Sequence, residues 1–223
     1  MSGRMLVLSN GEYYHIFNRG IARQPTFFTK RDYERFLLTL SYYRFGDIPG
    51  KLSKFLSLSQ DIRKDITNSL DKSQKKLVEI VCYALMPNHF HVLLKQLDDG
   101  GITKFMSKVT NSYTRYVNTK RDRVGDLFQG VFKAVRVETN EQLIHLTRYI
   151  HLNPVVSRIV VEEKLSAYPW SSFSDYIQGS RSFLVKDIVA GQFKNGKAYE
   201  TFVLDQIDYA KRLEEIKHLV LEG

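Results

Sequence analysis

A pair of histidines separated by one residue is the feature of this sequence that points most directly to chemistry. His89 and His91 flank Phe90 within a β-prone run. Residues two apart in a strand lie on one face about 7 Å apart, so both imidazoles could bind one metal ion while Phe90 turns into the core. The spacing alone is more typical of two polar residues on a solvated strand face, because a metal site needs a third ligand.

A third ligand and a nucleophile are available later in the chain. His145, Tyr149 and Asn153 are spaced four apart, which places them on one stripe of a helix. A tyrosine hydroxyl is a poor nucleophile unless it is positioned. A divalent cation that polarises a phosphodiester makes the phosphorus easier for such a weak nucleophile to attack. The spacing by itself favours a plainer interpretation, in which Tyr149 packs against the sheet and Asn153 caps the helix.

Four predicted strands must position the histidine pair. The β-prone runs cover residues 12–18, the two arms of a hairpin between 78 and 95, and a run centred on 132–137. Pro87 and Asn88 separate the two arms of the hairpin. The second arm therefore carries His89 and His91.

Three predicted helices alternate with these strands. The first is capped by Thr29, the second follows Gly101, and the third begins at Thr139, each before apolar residues at helical spacing. The residue before a proline is pushed out of the α region. We therefore expect Pro154 to end the third helix, with Asn153 at or just past its end.

The order of these elements predicts the fold class. Strand, helix, strand, strand, helix, strand is the βαββαβ order of a ferredoxin-like sheet, so we expect an α+β fold with an antiparallel sheet and additional helices. We divide the chain into a domain over residues 1–178, with a polar helical insertion near 46–76, and a C-terminal helical extension over 179–223. An amphipathic helix from about residue 199 to 221 would cover the chain's own core, which is the commoner use, or a partner.

The composition limits the function classes. With 43% hydrophobic residues the chain can bury a core, which excludes global disorder. Thirty-three Lys and Arg against 24 Asp and Glu give a net charge of +9, which indicates an anionic partner, most commonly nucleic acid. The lone Cys82 excludes an internal disulfide or a cysteine-based zinc site. The absence of a long apolar run leads us to expect an intracellular, cytoplasmic protein.

Five segments in order along the chain resemble the single-tyrosine HUH transposases of the insertion-sequence-200-like superfamily, and among them the REP-associated tyrosine transposases. The segments are residues 14–20 (YHIFNRG), 86–94 (MPNHFHVLL), 127–133 (LFQGVFK), 149–155 (YIHLNPV) and 168–172 (YPWSS). The resemblance covers roughly residues 10–178. It implies the ferredoxin-like HUH endonuclease fold.

The resemblance also implies a role for each matched residue. His89 and His91 would bind a metal together with Asn153, and Tyr149 would be the nucleophile. In the family the tyrosine attacks a phosphodiester of single-stranded DNA, leaving a covalent 5′-phosphotyrosine and a free 3′-hydroxyl, and no ATP is needed. The implied cofactor is Mg²⁺ or Mn²⁺, the implied partner is single-stranded DNA with hairpins, and the implied state is a monomer or a homodimer.

Basic residues in or beside loops near this site are expected to contact DNA phosphates. They are Arg19, Arg23, Lys120, Arg121, Arg123, Lys133 and Arg136. On the plainer interpretation half or more of them are ordinary solubilising charges. Phe128 or Tyr14 could stack on an exposed base.

Several further residues compete for a role at the site. Tyr113 and Tyr116 are rival nucleophiles, but both fall on the apolar stripe of the second helix and are predicted to be core residues. His15 lies in the first strand and could border the site. His151 would either contact DNA or support the motif, and neither histidine is assigned to catalysis.

Three function classes follow from these observations. The leading hypothesis is a metal-dependent endonuclease and strand transferase acting on single-stranded DNA. The second is a hairpin-DNA-binding protein of the same fold that is catalytically silent or domesticated. The third, a ferredoxin-like module for a small molecule or metal, is disfavoured by the charge of +9.

Overall fold

An antiparallel sheet forms the centre of the protein. The computed structural model describes residues 7–73, 75–179 and 183–212. Four strands pair in the order β2-β3-β1-β4. They are β1 (Tyr13–Arg19), β2 (Val78–Met86), β3 (His89–Gln96) and β4 (Lys133–Val137). Every neighbouring pair is antiparallel, so the predicted α+β class with a ferredoxin-like strand order is confirmed.

Helices cover both faces of the sheet. In chain order they are α1 (Lys30–Tyr43), α2 (Leu52–Ser57), α3 (Gln60–Lys72), α4 (Gly101–Lys120), α5 (Asn140–Val156), α6 (Phe173–Ile177), α7 (Asp187–Ala190) and α8 (Gly196–Leu204), with short 3-10 turns at Ile21–Arg23 and Glu162–Lys164. None of the helices within the described residues is long and apolar enough to cross a membrane.

The two faces of the sheet bury separate apolar clusters, because side chains alternate along each strand. Phe90 and Val92 of β3 pack in one cluster with residues of α1 and α4. Leu93 of β3 and Ala84 of β2 belong to the other cluster, which includes Ile150 of α5. The alternation places Phe90 in the α1/α4 cluster and leaves both neighbouring histidines for the α5 face.

The hairpin turn is tied to the loop that follows β1. Thr26 and Phe27 donate their backbone N–H groups to the carbonyl of Pro87, at 2.8 and 2.9 Å. Gly20 donates to the carbonyl of Asn88 at 2.7 Å. Since these bonds fix the residues directly before His89, they set the position at which β3 starts.

The predicted end of the third helix was wrong. Helix α5 continues through Pro154 to Val156, and its C-cap is Ser157. A proline removes one helical N–H and crowds the carbonyl four residues earlier, but here it lies in the last turn, and Pro154 and Val155 are buried. Burial of this turn outweighs the lost bond, so Asn153 lies inside the helix.

The segments outside the sheet and its two main helices also have defined structure. The polar segment after α1 forms α2 and α3, which bury Leu52, Phe55 and Leu70. Near the C-terminus, Val203 of α8 and Ile207 are buried in the α5 cluster, so this segment covers the chain's own core. The rest of the predicted helix, residues 213–221, lies outside the described residues.

Candidate active site

The two histidines of β3 lie on the same face of the sheet, next to β1. His91 pairs with Phe17, and His89 pairs with Arg19. The ring centroids of the two histidines are 5.3 Å apart. His91 is buried and His89 is half-buried, so the pair forms a pocket edge that solutes can reach from the His89 side.

Helix α5 brings Tyr149 to these histidines within the same chain. The Tyr149 ring centroid lies 5.9 Å from that of His91 and 6.1 Å from that of His15. The helix is positioned by its buried residues, such as Ile150 and Leu143, which pack in the cluster beneath β2 and β3. Tyr149 itself is 39% exposed, so its ring is placed beside the histidines and not in the core.

Asn153 lies one helical turn after Tyr149 and is buried. Its Nδ2 donates to the backbone carbonyl of Tyr149 at 3.1 Å. Because the amide nitrogen is used in this way, the side-chain oxygen is the end of Asn153 that can act as an acceptor or ligand.

His145, the first residue of the predicted stripe, does not join this group. It contacts Arg148, with Nη2 of Arg148 2.6 Å from Nδ1 of His145, and its ring lies 5.9 Å from that of Phe202 in α8. Residues four apart on a helix are offset by about 40°, since 3.6 residues make one turn. Two such steps carry His145 away from Asn153 and toward α8.

A third histidine, His15, completes the cluster; the sequence analysis expected that it could border the site and assigned it no part in catalysis. Nε2 of His15 in β1 lies 2.7 Å from Nδ1 of His91. On the other side, Nδ1 of His89 lies 2.6 Å from Oδ1 of Asn88, where it can only donate. The proximity of His15 to His91 depends on the pairing of β1 with β3, which periodicity does not reveal.

The buried histidines are held in their neutral form. Burial lowers the pKa of His15 to about 4. Burial also lowers the pKa of His91 well below its ordinary value, and the neighbouring His15 and His89 act in the same direction. A neutral imidazole keeps a lone pair, which is what a metal ligand requires.

A basic cleft opens beside His89. It has a volume of about 340 Å³ and is lined by Arg19, Arg23 and Lys133, together with Phe17. These are three of the seven basic residues predicted to contact DNA.

The other four predicted DNA contacts do not line this cleft. Lys120 binds Oδ1 of the buried Asp32 at 2.6 Å, and Arg136 pairs with Glu12 at 3.1 Å. Arg121 lies over the ring of Phe28, and Arg123 donates to Oδ1 of Asn118. The DNA contacts of these four residues stay a prediction.

The stacking role suggested for Phe128 or Tyr14 does not fit the structure, because both side chains are buried in the α1/α4 cluster.

The rival tyrosines lie on the opposite face of the sheet from the histidines. Tyr113 is fully buried and donates its hydroxyl to the carbonyl of Thr26 at 2.8 Å. Tyr116 donates its hydroxyl to Oδ1 of Asp32 at 2.9 Å. Both tyrosines support the α1/α4 core, as predicted.

His151 supports α5 from behind and does not reach a DNA surface. It is fully buried, with Nδ1 2.7 Å from the hydroxyl of Tyr199 in α8 and Nε2 2.7 Å from Oγ of Ser172. Ser172 in turn accepts from the backbone N–H of Tyr83 in β2. The imidazole therefore connects α5, the helix that carries Tyr149, to the sheet and to the C-terminal segment.

We expect the protein to become less stable as the pH falls, because His151 is buried in its neutral form. Burial lowers its pKa from 6.5 to about 3, so between these values the unfolded chain binds a proton that the folded chain does not. At pH 5 this linkage removes about 2 kcal/mol of the free energy of unfolding relative to pH 7. Urea unfolding at both pH values should show a smaller pH effect in His151→Gln than in the wild type. The exposed His145→Gln is the control, and an equal pH effect in all three proteins would contradict the prediction.

One protein-family model matches the part of the chain that carries His89, His91, Tyr149 and Asn153. Residues 54–153 match the family model described as "Transposase IS200 like", a range that contains both histidines of β3, Tyr149 and Asn153. Over this range the chain is similar to the IS200-like transposases, and the resemblance noted in the sequence is confirmed. No curated protein matches the chain.

A solved structure narrows the comparison. The structure of a REP-associated tyrosine transposase bound to a REP hairpin matches with a TM-score of 0.54 and 16% sequence identity. The match covers 78% of this chain and 84% of that chain. The likeness shows that the two proteins share a fold.

Proposed function

We propose that this protein is a metal-dependent endonuclease and strand transferase that acts on hairpin-containing single-stranded DNA through Tyr149. The observation that carries the proposal is the position of the Tyr149 ring, 5.9 Å from that of His91 in the same chain. The basic cleft beside His89 supplies a place for the phosphates of the substrate. Since one chain supplies the nucleophile and the histidines, a monomer is sufficient for the reaction.

The residues present fit a divalent cation. Among the described residues, no group of three or more His, Cys, Asp or Glu side chains could hold a metal ion, and the proposed site takes its third ligand from an amide. His89, His91 and Asn153 supply two imidazole nitrogens and one such oxygen. Each imidazole has its Nδ1 next to a hydrogen-bonding partner, and when Nδ1 donates, Nε2 keeps the lone pair, as is typical of metal-binding histidines.

The bound ion, Mg²⁺ or Mn²⁺, would polarise the phosphodiester as a Lewis acid. Oη of Tyr149 attacks the phosphorus, its bond to phosphorus forms, and the bond from phosphorus to the 3′ oxygen breaks. The tyrosine proton is released and the departing 3′ oxygen takes up a proton, so the charges balance. The products are a 5′-phosphotyrosine and a 3′-hydroxyl, and the reverse attack by a 3′-hydroxyl joins strands without ATP.

The test is covalent capture of the intermediate. The full chain is incubated with Mn²⁺ and a pool of single-stranded hairpin oligonucleotides, resolved on a denaturing gel, and any shifted band is analysed by peptide mass spectrometry. A nucleotide adduct on Tyr149 supports the proposal. Salt-sensitive hairpin binding without an adduct across the pool would favour the alternative, a DNA-binding protein of this fold that does not cleave.

A further inference from the structure

The turn between β2 and β3 fixes the orientation of the Asn88 side chain. Its Nδ2 donates to the backbone carbonyl of Arg23 at 3.1 Å. A carbonyl oxygen only accepts, so the amide nitrogen is the end of the side chain that faces Arg23. The other end, Oδ1, lies 2.6 Å from Nδ1 of His89. A single backbone group therefore decides which end of the amide His89 meets.

This orientation determines which nitrogen of His89 carries the proton. The amide oxygen of Asn88 has no proton to give, so Nδ1 of His89 must be the donor. A neutral imidazole has one N–H group, and with that proton on Nδ1 the lone pair is on Nε2. Asn88 therefore leaves the metal-binding nitrogen of His89 unprotonated before any cation is bound.

The loop that supplies the Arg23 carbonyl has an unusual backbone. Ala22 and Arg23 are both left-handed, with φ angles of 51° and 58°. This conformation is uncommon for residues other than glycine, and such strain clusters at functional sites, where the surrounding structure holds it. Here the backbone N–H of Gly20 donates to the carbonyl of Asn88, which holds the loop against the turn. The strained loop thus directs a carbonyl at the residue that orients His89.

The partner of His91 is His15 on β1. Nε2 of His15 lies 2.7 Å from Nδ1 of His91, and both rings are buried. Two N–H groups repel one another at this distance, so one of the two nitrogens must accept. If His15 accepts, the lone pair of His91 is on Nε2. If His91 accepts, its own Nε2 carries the proton and cannot bind a metal.

We propose that Asn88 and His15 are positioning residues, which hold His89 and His91 in the tautomer that can bind a divalent cation. The inference rests on the proposed function, because it deepens the metal site that these histidines form with Asn153. It assigns to His15 the acceptor role toward His91, with the proton of His15 on its Nδ1. Both residues act through the imidazole beside them and not on the phosphodiester.

The test compares substitutions that keep the acceptor with substitutions that remove it. Asn88→Asp and His15→Gln keep an oxygen that can accept from the neighbouring imidazole, whereas Asn88→Leu and His15→Phe keep a similar shape without an acceptor. Calorimetry of the full chain with Mn²⁺ should show binding weaker by about 10-fold or more in Asn88→Leu and His15→Phe. Binding in Asn88→Asp and His15→Gln should stay close to that of the wild type. A role in packing alone predicts the opposite order at His15, since a ring fills the buried space better than an amide.

Asn111→Leu is the matched control. It makes the same change on α4, at an exposed side chain whose amide donates to Ser107, and it should leave the Mn²⁺ affinity unaltered. Far-UV circular dichroism of every variant should match that of the wild type, so that a change in affinity is not a loss of folding.

Nuclear magnetic resonance reads the tautomers directly in the metal-free protein. With ¹⁵N label at histidine, the ring-nitrogen shifts distinguish a protonated from an unprotonated nitrogen, and His89→Ala and His91→Ala assign the signals. In the wild type both rings should carry the proton on Nδ1. In Asn88→Leu and His15→Phe the proton of the neighbouring ring should shift toward Nε2. Rings that keep their Nδ1 proton in both of these variants would overturn the inference.

The metal titrations separate a failure of this inference from a failure of the proposed function. Loss of Mn²⁺ binding in His89→Ala and His91→Ala, with wild-type binding in Asn88→Leu and His15→Phe, would overturn the positioning roles and leave the metal site in place. Wild-type Mn²⁺ affinity in His89→Ala and His91→Ala would contradict the metal site of the proposed function. The tautomers of the metal-free protein test the roles of Asn88 and His15 in either case.

Discussion

Tyr149→Phe is expected to abolish the covalent protein-DNA adduct while the affinity for hairpin DNA stays nearly unchanged. The change removes only the hydroxyl, and the ring keeps its contacts with His91 and His15. Without a nucleophilic oxygen the phosphodiester bond is not attacked, so the expected loss is at least 1,000-fold, in line with removal of a covalent nucleophile. The adduct band on a denaturing gel and the anisotropy of a labelled hairpin measure the two effects.

A matched control is the exposed Tyr209 of the C-terminal segment. Tyr209→Phe removes the same hydroxyl from an exposed position to which no role is assigned, and it should leave the adduct yield unaltered. Persistent adduct in Tyr149→Phe would show that another tyrosine attacks. The structure makes Tyr113 and Tyr116 poor substitutes, since both hydroxyls are bonded on the other face of the sheet.

His91→Ala is expected to eliminate cleavage and to weaken Mn²⁺ binding by 10-fold or more, because it removes one of the proposed ligands, and even the partners of ligands are typically worth 10–100-fold in affinity. Isothermal titration calorimetry of the full chain with Mn²⁺ measures the binding directly. His89→Ala should behave in the same way. Unaltered Mn²⁺ affinity in both variants would remove the metal site from the proposal.

His145→Ala is the matched control for this experiment. His145 lies on the same helix as Tyr149 but contacts Arg148 and the ring of Phe202. Its loss should change neither Mn²⁺ affinity nor cleavage. A fall in both would mean that α5 is rotated in the active form relative to the arrangement described above.

The strands and main helices could be predicted because their signals are local. Thr29 and Asp32 mark the start of α1, where the N–H of Thr29 donates to Oδ2 of Asp32, and the alternation around Phe90 identifies a strand with one buried face. Pro154 was misjudged because its effect depends on position. A proline in the last turn of a helix that is buried by tertiary packing costs less than its local preference suggests.

The candidate site could be predicted only in part, because much of its arrangement depends on contacts between residues that are distant in the sequence. The placement of His15 next to His91 and the orientation of His145 toward α8 depend on strand pairing and on helix packing, neither of which is visible in spacing. The same holds for the basic residues. Arg19 and Lys133 converge on a cleft because β1 pairs with its two neighbours, whereas Lys120 is drawn to a buried carboxylate from a different helix.

Contacts between α5 and the C-terminal segment should couple the local unfolding of these two parts of the protein. Nδ1 of His151 lies close to the hydroxyl of Tyr199, and the guanidinium of Arg148 lies 4.3 Å from the ring centroid of Phe202. Two residues on either side of Tyr149 are therefore held by α8. Local unfolding of α8 would leave a buried imidazole and an apolar helix face exposed to water. The backbone amides of α5 and α8 should therefore exchange with deuterium as one cooperative unit, and fraying of the C-terminal segment would be transmitted to Tyr149.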